Sequence, residues 1–258
     1  MFDTISDYYD TVNTYFTFNL DKSWRSLLIE KTLTPGNPSI TLLDVATGTC
    51  EVLKTAYETF PDRILNSTGI DPSAGMLSFC PSKLKLALPP STPPPLLLTS
   101  SITTQTFPHL FTHTTISFGI RNIPSRSSAL CNIRSHSSSP LSCPSSHTCP
   151  HPSRLGILEV SYTPHYLSDI TLSNLSLSTP LKILTSYFVH YLVPSIGYLI
   201  NGFDKYDEYR HLVDSLEAFP ADFEREVEGL KCEDGGWKLE EVEERNFGTI
   251  KVYTFTAV

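Results

Sequence analysis

Two short segments carry residues that can do chemistry together. Leu42-Leu43-Asp44-Val45-Ala46-Thr47-Gly48-Thr49-Cys50-Glu51 runs an apolar stretch into a turn of small residues. Thr68-Gly69-Ile70-Asp71-Pro72-Ser73 then ends a second apolar stretch in an acid. A separation of about 20 residues between such a turn and such an acid is the spacing of an αβ unit that binds a nucleoside where neighbouring strands end. Gly48, with the small Thr47 and Thr49 beside it, lets backbone approach a ligand closely. Asp71, at the tip of the second strand, is placed to accept hydrogen bonds from both ribose hydroxyls.

The turn holds one glycine, whereas a dinucleotide pyrophosphate needs a glycine-rich cradle. Asp44 puts a second acid on the same crevice, an awkward neighbour for phosphates and a suitable one for a cation. This combination favours S-adenosylmethionine over NAD. The plainer reading is an ordinary βα turn with a solvated carboxylate, and the turn alone leaves both open.

The elements that must position these residues follow from periodicity. Helices are predicted over 2–16, 22–33 and 51–60, and strands over 40–45, 65–70, 96–100, 114–118 and 155–160. Tyr206, Tyr209, Leu212, Val213, Leu216 and Phe219 recur at steps of three and four, the pattern of an amphipathic helix. Past Pro220 the charge density rises, so 224–228 and 240–245 read as a solvated helix face and a loop around Gly235-Gly236. The alternation from Thr249 to Phe255 has strand period and is expected to pair antiparallel at the sheet edge.

Thr115-Ile116-Ser117-Phe118-Gly119-Ile120-Arg121-Asn122-Ile123-Pro124 stands where the fourth strand of such a domain ends. This segment resembles the strand and loop of the ubiquinone and menaquinone biosynthesis C-methyltransferases. Further blocks resemble that family in the same order: Met1 to Ser6 with Tyr9-Asp10, Asn13 and Trp24-Arg25; Leu155 to Ser161; and Val193 to Gly197 with Tyr209 to Leu212 and Ser215 to Pro220. The resemblance omits about 81–114 and 131–153.

The resemblance implies an α/β class I S-adenosylmethionine-dependent methyltransferase fold, Rossmann-like, with a mostly parallel seven-stranded sheet and an antiparallel edge strand. It implies one domain over 1–258, with an N-terminal helical cap over about 1–35 and a lid-like region over about 165–220. By resemblance Asp44, Gly48, Thr49 and Asp71 hold the cofactor, Ser117 lies beside it, and Ser101 and Ile102 fall where the adenine is bracketed. Arg121 and Asn122 face an oxygen of the acceptor. A guanidinium keeps its proton in proteins, so Arg121 suits stabilisation of a developing phenolate or orientation of a water that takes the proton. A loop salt bridge is the plain alternative for Arg121.

Two departures stand out: Cys50 replaces a second glycine of the family turn, and no clear adenine bracket follows the third strand. The implied activity is C-methylation of a polyprenyl benzoquinol or naphthoquinol. The alternative is a catalytically degenerate subunit with a binding or scaffolding role. A dehydrogenase is disfavoured by the single-glycine turn.

The chain has 258 residues, 40% of them hydrophobic, enough to bury the core of one large domain. A net charge of −8 argues against a nucleic-acid partner. No apolar run reaches membrane-span length. A polyprenyl tail implies peripheral contact with a membrane, with Tyr187, Phe188, Tyr191, Leu192 and Tyr198 as entrance residues or, on the plainer reading, core. A homodimer or a quinone-biosynthesis complex is the expected assembly. The setting is the cytoplasm of a bacterium, or the matrix side of the mitochondrial inner membrane or a plastid in a eukaryote, and the N-terminal residues lack the composition of a transit peptide.

Six cysteines at scattered spacings give no disulfide framework, so reduced thiols are expected. The Cys and His residues between Cys131 and His151 lack the spacing of a structural zinc site, and no metal is expected. From Pro72 to Leu158 there is no acid, and 135–153 is a low-complexity, proline-rich insertion; deleting Ser135 to Pro152 is expected to leave the fold intact. The helix that the family carries between Ala129 and Leu155 is not recognisable. His190 and His211 fall on apolar patterns and read as satisfied core or cleft residues.

Overall fold

The computed structural model describes residues 10, 14, 17–34, 39–90, 92–138, 152–161, 214–216 and 218–258. The helix expected over 2–16 lies mostly outside these residues, as do most of the stripe from Tyr206, the entrance aromatics, His190 and His211.

Strands β1 (Ile40–Val45), β2 (Ile64–Asp71), β3 (Leu96–Thr99), β4 (His113–Ser117), β5 (Arg154–Val160), β6 (Trp237–Arg245) and β7 (Ile250–Ala257) form one sheet in the order β3-β2-β1-β4-β5-β7-β6. The first five are parallel, and β7 runs antiparallel to both β5 and β6. The chain moves outward from β1 to β3 and then returns to place β4 on the other side of β1. That reversal opens a crevice at the C-terminal ends of β1 and β4, where open α/β sheets bind ligands.

Alternation along β1 feeds two cores. Ile40 and Leu42 pack with Trp24, Leu28, Ile29 and Leu33 of α1 (Leu20–Leu33) and with Val52, Leu53, Ala56 and Tyr57 of α2 (Glu51–Thr59). Leu43 and Val45 face the opposite layer, with Ala129, Leu130 and Ile133 of α5 (Arg126–Ser135) and Phe223 and Val227 of α6 (Phe223–Glu228). Between these lie the short helices α3 (Ala74–Leu77) and α4 (Cys80–Ala87). A sheet covered on both faces explains why its central strands are apolar runs. Burying both faces makes the ends of the strands the place where polar groups can meet a ligand.

Four expectations need correction. Residues 240–245 belong to strand β6, not to a helix face or loop, and β7 is therefore second from the edge. Edge strands carry charge to prevent further pairing, which is why Lys238, Glu240, Glu241, Glu243 and Glu244 obscured the strand period. The helix after Ala129 is present as α5, its serines hiding a short apolar face. The thiols are not all reduced: Cys50 bonds to Cys80 and Cys131 to Cys232, each pair with Cα atoms 5.2 Å apart. The partners are 30 and 101 residues apart in the chain, so folding rather than spacing brings them together. Finally, the expected insertion includes built-in residues at its ends. Ser137 bridges to Phe111, and the Ser138 and Ser153 hydroxyls meet at 2.7 Å.

Candidate functional site

Asp44 occupies the last turn of β1, 1% exposed. Thr47 Oγ1 donates to its Oδ2, and Thr115 Oγ1 of β4 donates to its Oδ1 at 2.7 Å. Burial pushes the carboxyl up to about 7. The two hydroxyls pull it down, the nearby Asp71 charge pushes it up, and Arg25 pulls it down. Asp44 is thus poised to ionise when a cation arrives, because an opposite charge favours the carboxylate.

The turn after β1 departs from ordinary backbone geometry. Ala46, Gly48 and Cys50 have φ of 53°, 55° and 65°, and Phe118 on the facing β4 loop has 54°. Left-handed backbone at non-glycine residues stores strain, and such strain gathers at ligand sites. A Cβ added at Gly48 would meet nothing within 4 Å, so this backbone borders open space. A Cβ at Gly119 would lie 2.4 Å from Ala46 Cβ, so only glycine lets the two loops approach.

Asp71 is 7% exposed, not out in solvent. Its Oδ2 accepts from the Gly48 amide at 2.9 Å and its Oδ1 from the Ser73 amide at 2.8 Å. Ser101 and Ile102 follow β3, whose Thr99 pairs with Asp71, and this puts them on the same rim. Ser101 is exposed and Ile102 buried.

The Thr49 hydroxyl is engaged by protein. It donates to Asp10 Oδ1 at 2.8 Å, and it accepts from Lys83 Nζ at 2.8 Å. Lys83 also pairs with Asp10 and with Glu51 Oε1 at 2.6 Å. The ammonium of α4 thereby ties Asp10 of the N-terminal block to the turn.

Across the crevice, Ser117 ends β4 with its Oγ buried and without a hydrogen-bond partner among the described residues. Arg121 and Asn122 lie in the single 3-10 turn Ile120–Asn122 that follows. Arg121 Nη1 pairs with Glu159 Oε1 at the end of β5, both side chains buried, while Arg121 Nε has no partner among the described residues. Tyr253 on β7 is fully buried, with its hydroxyl directed to Ser161. Burial and the charges of Glu224 and Glu159 push its ionisation up, so it stays a neutral hydroxyl.

Such orphaned polar groups cost about 1–3 kcal/mol each, which a bound ligand can relieve. The donor set fits S-adenosylmethionine: an open cradle at Gly48, acids at Asp44 and Asp71, and an unengaged hydroxyl at Ser117.

Residues 1–136 match the model of the ubiE/COQ5 methyltransferase family. The chain belongs to this family. Members of the ubiE/COQ5 methyltransferase family similar to it include the ubiquinone/menaquinone biosynthesis C-methyltransferase of Geotalea daltonii, 28% identical over 98% of this chain and 93% of that one. The demethylmenaquinone methyltransferase of Thermotoga maritima is 30% identical over 52% of this chain and 54% of that one. Among solved structures, the magnesium protoporphyrin IX methyltransferase of Synechocystis PCC 6803 matches with a TM-score of 0.56 at 11% identity, covering 99% of both chains. The plantazolicin methyltransferase BpumL matches with a TM-score of 0.56 at 13% identity, covering 99% of this chain and 90% of that one. These two likenesses concern the fold. The ubiE/COQ5 protein described here is an S-adenosylmethionine-dependent methyltransferase with the class I sheet.

Membership also bears on Cys50. Its sulfur is directed to Cys80 at the start of α4, buried in the packing between α2 and α4. The site residues without a sequence-derived role are Glu159, Tyr253, Glu224 and Lys83. Glu159 had a usable signal: it is the first acid after Asp71 and stands at the end of the strand next to β4. Tyr253 and Glu224 carried none, since their neighbours come from distant elements.

Proposed function

We propose that this ubiE/COQ5 methyltransferase transfers the methyl group of S-adenosylmethionine to a ring carbon of a polyprenyl benzoquinol or naphthoquinol. The observation that carries this reading is the buried Arg121 guanidinium, fixed by Glu159 at the tip of β4, with Nε left for an acceptor oxygen.

The cofactor supplies an already electrophilic methyl carbon, so no covalent protein nucleophile is needed. What the chain must supply is alignment, exclusion of water and charge. Ring carbons next to a phenolate are nucleophilic, and the Arg121 cation stabilises the phenolate oxygen as it develops. Glu159 holds that cation in one orientation and offsets its burial. Tyr253, kept protonated, donates toward the acceptor side, with Glu224 as its neighbour across the rim. Asn122, next to Arg121, orients the acceptor oxygen. Asp71 grips the ribose, Ser101 and Ile102 border the adenine, and Asp44 offsets the cationic charge. The apolar tail of the acceptor leaves the crevice toward a membrane surface, which the protein visits peripherally. Among the described residues, no helix is long and apolar enough to cross a membrane.

Incubating the protein with methyl-labelled donor and a panel of demethylated benzoquinols and naphthoquinols tests the reading. Label in a ring methyl of either quinol is expected; label on oxygen only, or on none of the panel, overturns it.

A further inference from the structure

We propose that Cys50 and Cys80 form a thiol–disulfide exchange site that sets the affinity of the cofactor crevice. The proposal rests on the reading above only in taking S-adenosylmethionine as the ligand of that crevice.

Cys50 is the last residue of the turn and the N-cap of α2, with φ of 65°. A residue with a Cβ pays for that conformation, and here the bridge to Cys80 holds it there. Cys80 opens α4, its Sγ 3.5 Å from the Gly48 carbonyl oxygen, and Thr47 Oγ1 lies 3.7 Å from Cys50 Sγ. The sulfurs therefore sit directly behind the backbone that borders the ligand. The Cα separation of 5.2 Å lies in the range that a disulfide accepts without backbone movement.

The same two elements are joined a second time, by Lys83 of α4 to Glu51 of α2 and to Thr49. Cutting the bridge leaves that polar link and the Gly48–Asp71 hydrogen bond in place and removes only the covalent hold on Cys50. Cys131–Cys232 joins α5 to the loop before β6 and is separate from the crevice.

The exchange partner is an external dithiol–disulfide couple, small-molecule or protein. In the oxidising direction, one cysteine thiolate attacks the external disulfide, forming a mixed disulfide and releasing one thiol. The second cysteine thiolate then attacks the bonded sulfur of the first, closing the bridge and releasing the other thiol. Two protons leave the protein thiols and two electrons pass to the external couple. Both cysteines are fully buried, so exchange follows local opening of the short helix α4.

Release of the strained turn is expected to weaken S-adenosylmethionine binding about tenfold. The test equilibrates the full chain in glutathione buffers of graded potential, assigns thiol states by alkylation and mass spectrometry, and measures cofactor affinity by calorimetry. The expected results are a tenfold weaker Kd once Cys50 and Cys80 are reduced and the same response in C131S/C232S. C50G/C80A should bind with one affinity at every potential. By linkage, saturating cofactor should move the Cys50/Cys80 midpoint about 30 mV more negative. An unchanged Kd after complete conversion overturns the proposal, as does failure of the bridge to form at any potential. If neither form binds the cofactor, the methyltransferase reading falls with it.

Discussion

The Gly48 amide donates to Asp71 Oδ2 over 2.9 Å, fastening the acid that ends β2 to the turn that ends β1. One carboxylate thus shapes the cradle. Asp71→Ala is expected to weaken S-adenosylmethionine binding about 10²–10⁴-fold, since two charge-assisted contacts are worth some 1.5–3 kcal/mol each. It should also lower the melting temperature, because the Gly48 and Ser73 amides lose their acceptor. Asp71→Asn keeps an acceptor for one amide and should fall between. Calorimetry and thermal melting check both, and unchanged affinity in Asp71→Ala removes Asp71 from the site.

Much of this arrangement was legible in the sequence. Apolar runs ending in Asp44 and Asp71 marked β1 and β2 because buried parallel strands leave polar residues only at their ends. The block from Thr115 to Pro124 marked the facing loop. What was hidden depends on distant pairs. The charged edge strand β6 takes its identity from β7, and nothing local to Trp237–Arg245 reveals that partner. Glu159 takes its role from Arg121, 38 residues earlier. Cys50 stood out only as a departure from the family turn because its partner Cys80 is remote in the chain.

The proline-rich insertion is expected to be dispensable between its fixed ends. Ser138 N donates to Phe111 O, Ser153 N donates to Ser138 O, and the Ser153 hydroxyl donates to Phe111 O at 2.8 Å. The two ends therefore lie side by side, within reach of a short turn. Replacing 139–151 by a Gly-containing turn should leave a cooperative melt within a few degrees of the parent. Extending the deletion through Ser137 and Ser153 should lower it further, since Ser137 Oγ also donates to Ile133 O at 2.7 Å.

Asp44 predicts a pH dependence with a definite sign. Its folded carboxyl titrates near 7, above the ordinary 3.8, so the folded state holds a proton that the unfolded chain has released. Stability contributed by this group is present below about pH 4 and is lost as pH rises toward 7. Asp44→Asn should flatten that slope, measured as urea midpoints from pH 4 to 8. Cofactor binding should run the other way. A cation favours the ionised carboxylate, so affinity is expected to rise from pH 6 to 8 with proton release near the lower end. Equal heats in buffers of different ionisation enthalpy would refute the coupling.

The Arg121–Glu159 pair separates a structural role from a chemical one. Removing the guanidinium alone strands a fully buried carboxylate, so Arg121→Gln should cost about 3–5 kcal/mol of stability as well as turnover. Adding Glu159→Gln neutralises the stranded charge while keeping an oxygen for the Val160 amide, which donates to Glu159 Oε1 at 2.9 Å. R121Q/E159Q is therefore expected to melt close to the parent and to bind S-adenosylmethionine with similar affinity. Its methyl transfer should remain lower by about 10²–10³, the usual loss when a donor to a developing oxyanion is removed. Stability recovered without turnover assigns Arg121 to the acceptor oxygen. Turnover recovered together with stability would make the pair a structural clasp between β4 and β5, and the acceptor would have to find its cation elsewhere.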